Sequence, residues 1–123
     1  MALLADVLTG LIGLLHAYIL VLEMFLWKRA VKVFGIPKED RDNRRIQSLF
    51  KNQGIYNGFL AAGLLWGLVH PDPAFGLQLK LYFLGCVAVA GVVGAVTAKT
   101  KILFIQTIPA AATMALLGAS KFF

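Results

Sequence analysis

The chain of 123 residues is 59% hydrophobic and 15% charged, with a mean hydropathy of +0.79. Soluble globular domains are roughly 45–50% apolar and about 25% charged, and disordered chains are less hydrophobic still. A single cysteine, Cys86, and 12 glycines without a three-residue period exclude a disulfide scaffold and a collagen-like chain. The composition therefore predicts an integral membrane protein, with room for about four helical spans.

Four apolar stretches follow one another along the chain. They cover residues 3–27, 52–69, 77–98 and 102–117. Each stretch is far longer than the strands of about 10 residues that build membrane β-barrels. Pro71 and Pro73 prevent a continuous helix between the second and third stretches, because proline lacks a backbone donor and clashes with the preceding turn. The sequence predicts an all-α fold, a four-helix transmembrane bundle that forms one domain over 1–123.

A hydrophilic segment, residues 28–51, separates the first two spans. We expect the first helix to continue to Phe34 and to stop at Gly35. A new helix is predicted to start among residues 39–42, because acidic side chains stabilise a helix N-terminus. Helices one and two would then extend into the cytoplasm as a basic collar.

Most basic residues lie in two of the loops. Residues 28–51 hold eight of the 12 lysines and arginines, and the turn 99–101 adds two. Loops rich in Lys and Arg stay in the cytoplasm. We therefore expect a multi-pass protein of the bacterial inner membrane, with loops 28–51 and 99–101 cytoplasmic and both termini outside. The positive charge also favours contact with membrane lipids, whereas no nucleic-acid-binding pattern is present.

Polar residues interrupt the apolar spans near the cytoplasmic side. An ionisable group within hydrocarbon costs at least about 2.5 kcal/mol, so Glu23 and His16 are candidate catalytic residues. The two lie seven residues apart on one helical face. The second span enters from the same side, so we expect Asn57 at nearly the same depth as Glu23. The other candidates lie at the start of the second span, at a similar depth in the fourth span, or in the loop before the second span: Asn52, Gln53, Tyr56, Asn57, Gln106, Thr107, Arg44 and Arg45.

This polar cluster admits three interpretations. A cytoplasm-facing pocket would bind a small or amphipathic molecule, or also modify it, with Glu23 as acid, base or cation partner. Asn57 and Tyr56 would orient the ligand, and the two arginines would attract an anion. Proton-coupled transport would instead use Glu23 as carrier and His16 as relay. A structural cluster would lock the helices together, as polar side chains do in membranes.

Small residues recur at four-residue spacing along the second and third spans. The motifs are Gly54-x-x-x-Gly58, Gly63-x-x-x-Gly67 and Gly91-x-x-x-Ala95. Such spacing lets another helix backbone approach closely. We expect a homo-oligomer, a dimer or trimer, with a pocket formed partly between subunits. No residue set indicates a metal site, and none indicates a particular cofactor.

Three segments carry a family resemblance. They are His16-Ala-Tyr18, Glu23-x-x-x-Trp27 and the run Asn-Gln-Gly-Ile-Tyr-Asn-Gly-Phe-Leu-Ala from Asn52 to Ala61. With them the chain resembles, over essentially its whole length, the small bacterial four-span family designated domain of unknown function 1304. The resemblance implies an inner-membrane location.

A fainter likeness is to the MAPEG enzymes, which also have four spans and a long basic first loop. That likeness would imply a trimer with glutathione bound between subunits. Of their second-helix pattern Arg-x-x-x-Asn-x-x-Glu, this chain shares only Asn52, because Ser48 and Ile55 stand where charged residues are required. Glutathione binding is therefore expected from this likeness alone, and Glu23 of the neighbouring helix would have to replace the missing charge.

Overall fold

The computed structural model describes residues 2–122, and the regular elements in that range are all helical. The α-helices are, in chain order, α1 (Ala2–Phe25), α2 (Trp27–Phe34), α3 (Arg44–Val69), α4 (Pro73–Thr97) and α5 (Ile108–Phe122). A 3₁₀ turn, Lys38–Asp40, precedes α3, and a π-helical segment, Leu103–Thr107, leads into α5. The prediction of an all-α bundle is confirmed.

Three helical segments within the described chain are long and apolar enough to cross a membrane. They are Ala2–Phe25, Pro73–Thr97 and Leu103–Ser120. α3 has the length of a span, but charged and amide side chains in its first half make it less hydrophobic than these three. The membrane crossing of the second predicted span therefore stays a prediction.

The first helix is interrupted where the sequence predicted continuity to Phe34. α1 ends at Phe25, and Leu26 takes a non-helical backbone conformation with φ −121° and ψ 60°. α2 starts at the next residue and ends at Gly35, which has a φ of +64°. This left-handed conformation favours glycine, so the predicted stop at Gly35 is confirmed. The prediction of one continuous helix up to Phe34 is wrong, because the chain bends at Leu26.

The basic segment between α1 and α3 folds back on itself, so that its first residues contact its last residues. The Trp27 indole N–H donates to the carbonyl of Arg41 at 2.8 Å, and the Trp27 and Phe50 ring centroids lie 5.4 Å apart. The side-chain oxygen of Asn43 accepts hydrogen bonds from two N–H groups of the first turn of α3. The helix thus starts at Arg44, after Glu39, Asp40 and Asp42 and not among them as predicted, because Asn43 supplies the N-cap.

The two ends of the bundle differ in their connections. At the loop end, the Lys99 ammonium group in the turn after α4 donates to the carbonyl of Phe34 at 3.1 Å. At the opposite end, the turn end, Lys80 of α4 forms an ion pair with Asp6 of α1 at 2.8 Å. The two basic loops therefore lie at the same end of the bundle. Which side of a membrane that end faces stays a prediction.

The predicted glycine motifs are occupied by packing within the chain. A Cβ atom added to Gly54 would lie 2.8 Å from Met24 Cγ of α1, and one added to Gly67 would lie 3.1 Å from the carbonyl oxygen of Gly76 in α4. Gly91 makes the same kind of close contact with Thr107 of the π-helical segment. These motifs bring helices of one chain together, so the homo-oligomer stays a prediction without their support.

The apolar core joins the long helices along the middle of the bundle. It consists of Ala5, Ile12, Leu64, Leu84, Val87, Ala110 and Leu117. The π-helical segment fits between this core and the loop end. Pro109 follows it, and its ring would clash with the carbonyl four residues earlier in a regular helix. The N–H of Ile108 bonds instead to the carbonyl of Leu103, five residues back.

Candidate functional site

Glu23 is the buried carboxylate of the described chain, and α3 supplies its partner. The side chain points from α1 into the bundle and the residue is only 6% exposed. The Asn57 side-chain amide donates to Glu23 Oε1 at 2.8 Å. Gly54, one turn earlier on α3, permits this contact, because a Cβ there would lie 3.2 Å from the Cβ of Glu23. Glu23 and Asn57, which the sequence predicts to lie at nearly the same depth, are therefore hydrogen-bonded to each other.

Asn57 also links the buried carboxylate to the surface of α3. Its amide nitrogen donates a second hydrogen bond, at 3.0 Å, to the backbone carbonyl of Gln53. Asn57 is half-buried, whereas Asn52, Gln53 and Tyr56 are exposed outside the bundle. The polar row of α3 thus runs outward from the Glu23–Asn57 pair.

The two arginines of the predicted site lie far from Glu23 along α3, and its glutamine lies in a different element. Arg44 and Arg45 are exposed in the first turn of α3, about 20 Å along the helix axis from Asn57. Gln106 lies half-buried in the π-helical segment, and a Cβ on Gly91 would be 3.0 Å from its Cβ. Among the described residues, the side-chain hydrogen bond that Glu23 makes is the one from Asn57.

His16 is almost completely buried, at 1% exposure, and one of its ring nitrogens lacks a partner. Nδ1 lies 2.8 Å from the carbonyl of Ile12, so Nδ1 carries the proton. Nε2 has no hydrogen-bond partner within the described chain. Such an orphaned buried group costs roughly 1–3 kcal/mol and calls for an explanation in function or bound water.

His16 and Glu23 belong to one interior stripe of α1 that also includes Thr9. The three residues are spaced by seven positions, which places each about 10 Å from the next along the axis. All three are buried, and the Thr9 hydroxyl donates to the carbonyl of Ala5 at 2.8 Å. These distances are too long for direct hydrogen bonds between successive members of the stripe.

Two apolar clefts on the surface are lined by other residues. One, of about 480 Å³, follows the α1–α3 groove past Gly10, Gly13, Ala17, Ala61 and Leu65. The other lies along α4 around Tyr82, Cys86 and Val89. Neither cleft includes Glu23 or a residue of the polar row on α3, so the predicted pocket stays a prediction. In the described part of the chain, no three His, Cys, Asp or Glu side chains come together as metal ligands would.

Sequence reasoning missed two polar contacts between helices. The Asp6–Lys80 ion pair joins residues 74 positions apart, and the Thr107 hydroxyl donates to the carbonyl of Ala88 at 2.9 Å. The isolated charges in two apolar spans were a signal for the first contact, because charged groups within membranes tend to pair. No local sequence pattern predicts the Thr107–Ala88 hydrogen bond, because it depends on how closely Gly91 lets the π-helical segment approach α4.

Comparison with known proteins identifies the family. Residues 10–118 match the family model described as "Protein of unknown function (DUF1304)". The chain is 33% identical over 108 residues to "Uncharacterized protein YpaA" of Lactococcus lactis subsp. lactis (strain IL1403), a match that covers 86% of this chain and 89% of that relative. No solved structure matches the chain significantly, and the likeness to the MAPEG enzymes stays a prediction. The chain belongs to the DUF1304 family.

Proposed function

We propose that this chain is an integral membrane protein that binds a small or amphipathic molecule at its loop end, with Glu23 and Asn57 as the polar centre. The observation that carries the proposal is the 2.8 Å hydrogen bond from Asn57 to a buried carboxylate on another helix. A carboxylate offers about four acceptor positions, and a buried one is costly unless these are filled. A ligand that supplies a donor or a cation would stabilise it further.

The row of polar side chains on α3 supports a ligand with a polar head and an apolar body. Asn52, Gln53 and Tyr56 are exposed at the loop end, where a spanning helix meets the membrane interface. The Tyr56 ring packs edge-on against Phe59, with centroids 5.9 Å apart, so apolar surface follows directly below the polar row. In this arrangement Glu23 acts as acid, base or cation partner, and Asn57 orients both Glu23 and the ligand.

The location proposed with this function is the bacterial inner membrane, with the loop end in the cytoplasm. Its support is the charge of that end, because the two basic loops together carry ten lysines and arginines. The three apolar helices are consistent with membrane insertion. In this orientation the polar row faces the cytoplasmic leaflet.

The test is native mass spectrometry of protein purified in mild detergent. Wild type is expected to carry a co-purifying adduct. Glu23→Gln and Asn57→Ala should each bind this adduct about tenfold more weakly, which is the effect of one charged hydrogen bond. Glu39→Gln is the matched control, since it makes the same chemical change at an exposed carboxylate of the loop end. An adduct retained equally by Glu23→Gln would contradict the proposal.

Thermal unfolding of the same proteins separates binding from a purely structural role. A structural cluster predicts that Glu23→Gln and Asn57→Ala lower stability by about 1 kcal/mol while no form of the protein carries a ligand. Ligand binding predicts that adding the recovered molecule raises the melting temperature of wild type and of Glu39→Gln only.

Proton-coupled transport is the second candidate, and the unpartnered Nε2 of His16 favours it. A buried imidazole acceptor on the same stripe as Glu23 is suited to relay a proton through intervening water. In proteoliposomes this candidate predicts a pH-gradient-dependent flux that both Glu23→Gln and His16→Leu abolish. Leak rates equal to those of empty liposomes would exclude it.

A further inference from the structure

α3 and α4 pack closely in the turn-end half of the bundle and separate toward the loop end. Gly63 of α3 lies directly against the Phe83 ring of α4. Residues seven positions apart lie on nearly the same face of a helix, so Tyr56 and Ala90 continue the two faces that meet there. Tyr56 is nevertheless 53% exposed, and Ala90 is exposed as well. The two helices therefore do not cover each other at this level, and we call the uncovered strip between them the α3–α4 opening.

The α3 side of this opening changes from apolar to polar toward the loop end. Arg45, Leu49, Asn52 and Tyr56 lie on one helical face at spacings of four, three and four residues, and all four are exposed. The neighbouring Arg44 lies about 100° around the helix from Arg45 and so on a different face. Arg45 is therefore the cation of the first turn that borders the opening.

The α4 side of the opening is apolar. Ala90, Val93 and Thr97 are spaced as one face and are exposed, and the Thr97 hydroxyl is occupied by a 2.7 Å hydrogen bond to the carbonyl of Val93. Lys101 follows in the turn after α4 and is also exposed. The opening thus has an apolar base near Phe83, and we take as its rim the two exposed cations beyond its loop end, Arg45 of α3 and Lys101 of the turn after α4.

Among residues 2–122, neither Arg45 nor Lys101 forms an ion pair with a carboxylate. Within the described residues, the ion pair of the chain is Asp6–Lys80 at the opposite end of the bundle. The loop end carries ten basic residues against Glu39, Asp40 and Asp42. A phosphate group suits this rim, because a guanidinium group binds phosphate through paired, charge-assisted hydrogen bonds.

We propose that the α3–α4 opening binds an anionic phospholipid from the leaflet that the loop end faces. The phosphate lies between Arg45 and Lys101, Asn52 and Tyr56 supply neutral donors below it, and the acyl chains cover Ala90 and Val93. This lipid site shares Asn52 and Tyr56 with the proposed site but not the Glu23–Asn57 pair, which lies between α1 and α3, so it goes beyond the proposed function.

A second copy of the chain fits this opening less well. A parallel neighbour would place its own cationic loop end beside the first, and like charges repel most in the poorly screened interface of a membrane. An anionic lipid neutralises the rim and fills the apolar base at the same time.

The experiment is a lipid titration of the purified protein followed by native mass spectrometry. Phosphatidylglycerol is compared with phosphatidylcholine of the same acyl chains, and we expect about tenfold tighter binding of the anionic lipid. Arg45→Gln should remove most of that preference, whereas Arg44→Gln, on a different face of the same helical turn, should keep it. Ala90→Trp should weaken binding of both lipids by filling the opening, and Val96→Trp, at an exposed position about 120° around α4 from Ala90, should not.

Two results would overturn the inference. Equal affinity for the two lipids, or equal effects of Arg44→Gln and Arg45→Gln, would show that the rim recognises no phosphate. If Glu23→Gln still removes a co-purified adduct in that case, the proposed function stands and only the lipid site at the α3–α4 opening is wrong. If no variant changes any adduct, both the inference and the proposed function fail.

Discussion

At the scale of single residues, Asp6 and Lys80 show how charge is held in apolar helices. Asp6 is the charged residue in the first half of α1, and Lys80 is the charged residue in the first half of α4. Their side chains form an ion pair, with 2.8 Å between Lys80 Nζ and Asp6 Oδ1. The Lys80 side chain is 14% exposed and its stem lies against Gly67, so the ammonium group reaches Asp6 across packed surface. Charged groups in membranes tend to pair because the cost of a lone charge is high.

Lys80→Met should lower the stability of the protein by about 1 kcal/mol, because it leaves the carboxylate of Asp6 without a cation in a weakly polar environment. The swapped variant Asp6→Lys with Lys80→Asp should regain most of the loss. Thermal unfolding in detergent measures both. A swap that is no more stable than Lys80→Met alone would show that the ion pair contributes nothing.

At the scale of helices, glycines decide how closely α3 and α4 approach. A Cβ added to Gly76 would lie 2.8 Å from the carbonyl oxygen of Gly67, and backbone atoms cannot turn aside as a flexible side chain can. The contact therefore determines the crossing of the two helices at the turn end. The two helices cross close to their connecting turn and diverge from there, which leaves Tyr56 and Ala90 uncovered.

Gly76→Ala should destabilise the protein by about 2 kcal/mol, the usual cost of overpacking a close contact. Gly118→Ala is the matched control, because nothing lies within 4 Å of a Cβ at that position. The control should be neutral or stabilising by up to about 1 kcal/mol, since alanine is the better helix former. Equal melting temperatures for the two variants would mean that the α3–α4 crossing yields to an added methyl group.

At the scale of the whole molecule, the distribution of charge predicts an orientation in the membrane. Lys99 donates to the carbonyl of Phe34 and so joins the two basic loops at one end. The opposite end presents the α3–α4 turn, in which Asp72 accepts hydrogen bonds from the N–H groups of Ala74 and Phe75. Positive loops remain on the cytoplasmic side during insertion.

Single cysteines in a Cys86→Ala background test this orientation in intact cells. A membrane-impermeant maleimide should label Ala74→Cys, at the turn end, before the cells are opened. Thr100→Cys, at the loop end, should react only after permeabilisation. Both positions are exposed in the bundle, so access from the solvent decides the result. The reverse pattern would place the basic loops outside.

The candidate site was predictable in part. The matched depth of Glu23 and Asn57 follows from counting residues inward from the loop, because helical rise is constant. The bend at Leu26 was not predictable from local residues, because leucine favours helix and the bend serves the distant contacts of Trp27 with Arg41 and Phe50. The difference between Arg44 and Arg45 also appeared only once α4 was in place beside α3.

The sequence by itself determined the apolar composition, the helical class, the positions of the long helices and the concentration of positive charge in two loops. These properties depend on hydropathy and periodicity within single segments, which need no knowledge of neighbours. Only the tertiary structure decided that Asn57 bonds Glu23, that Lys80 pairs with Asp6 and that α3 separates from α4 at Tyr56. Those outcomes depend on how side chains from distant segments pack, and close packing is a property of the assembled bundle.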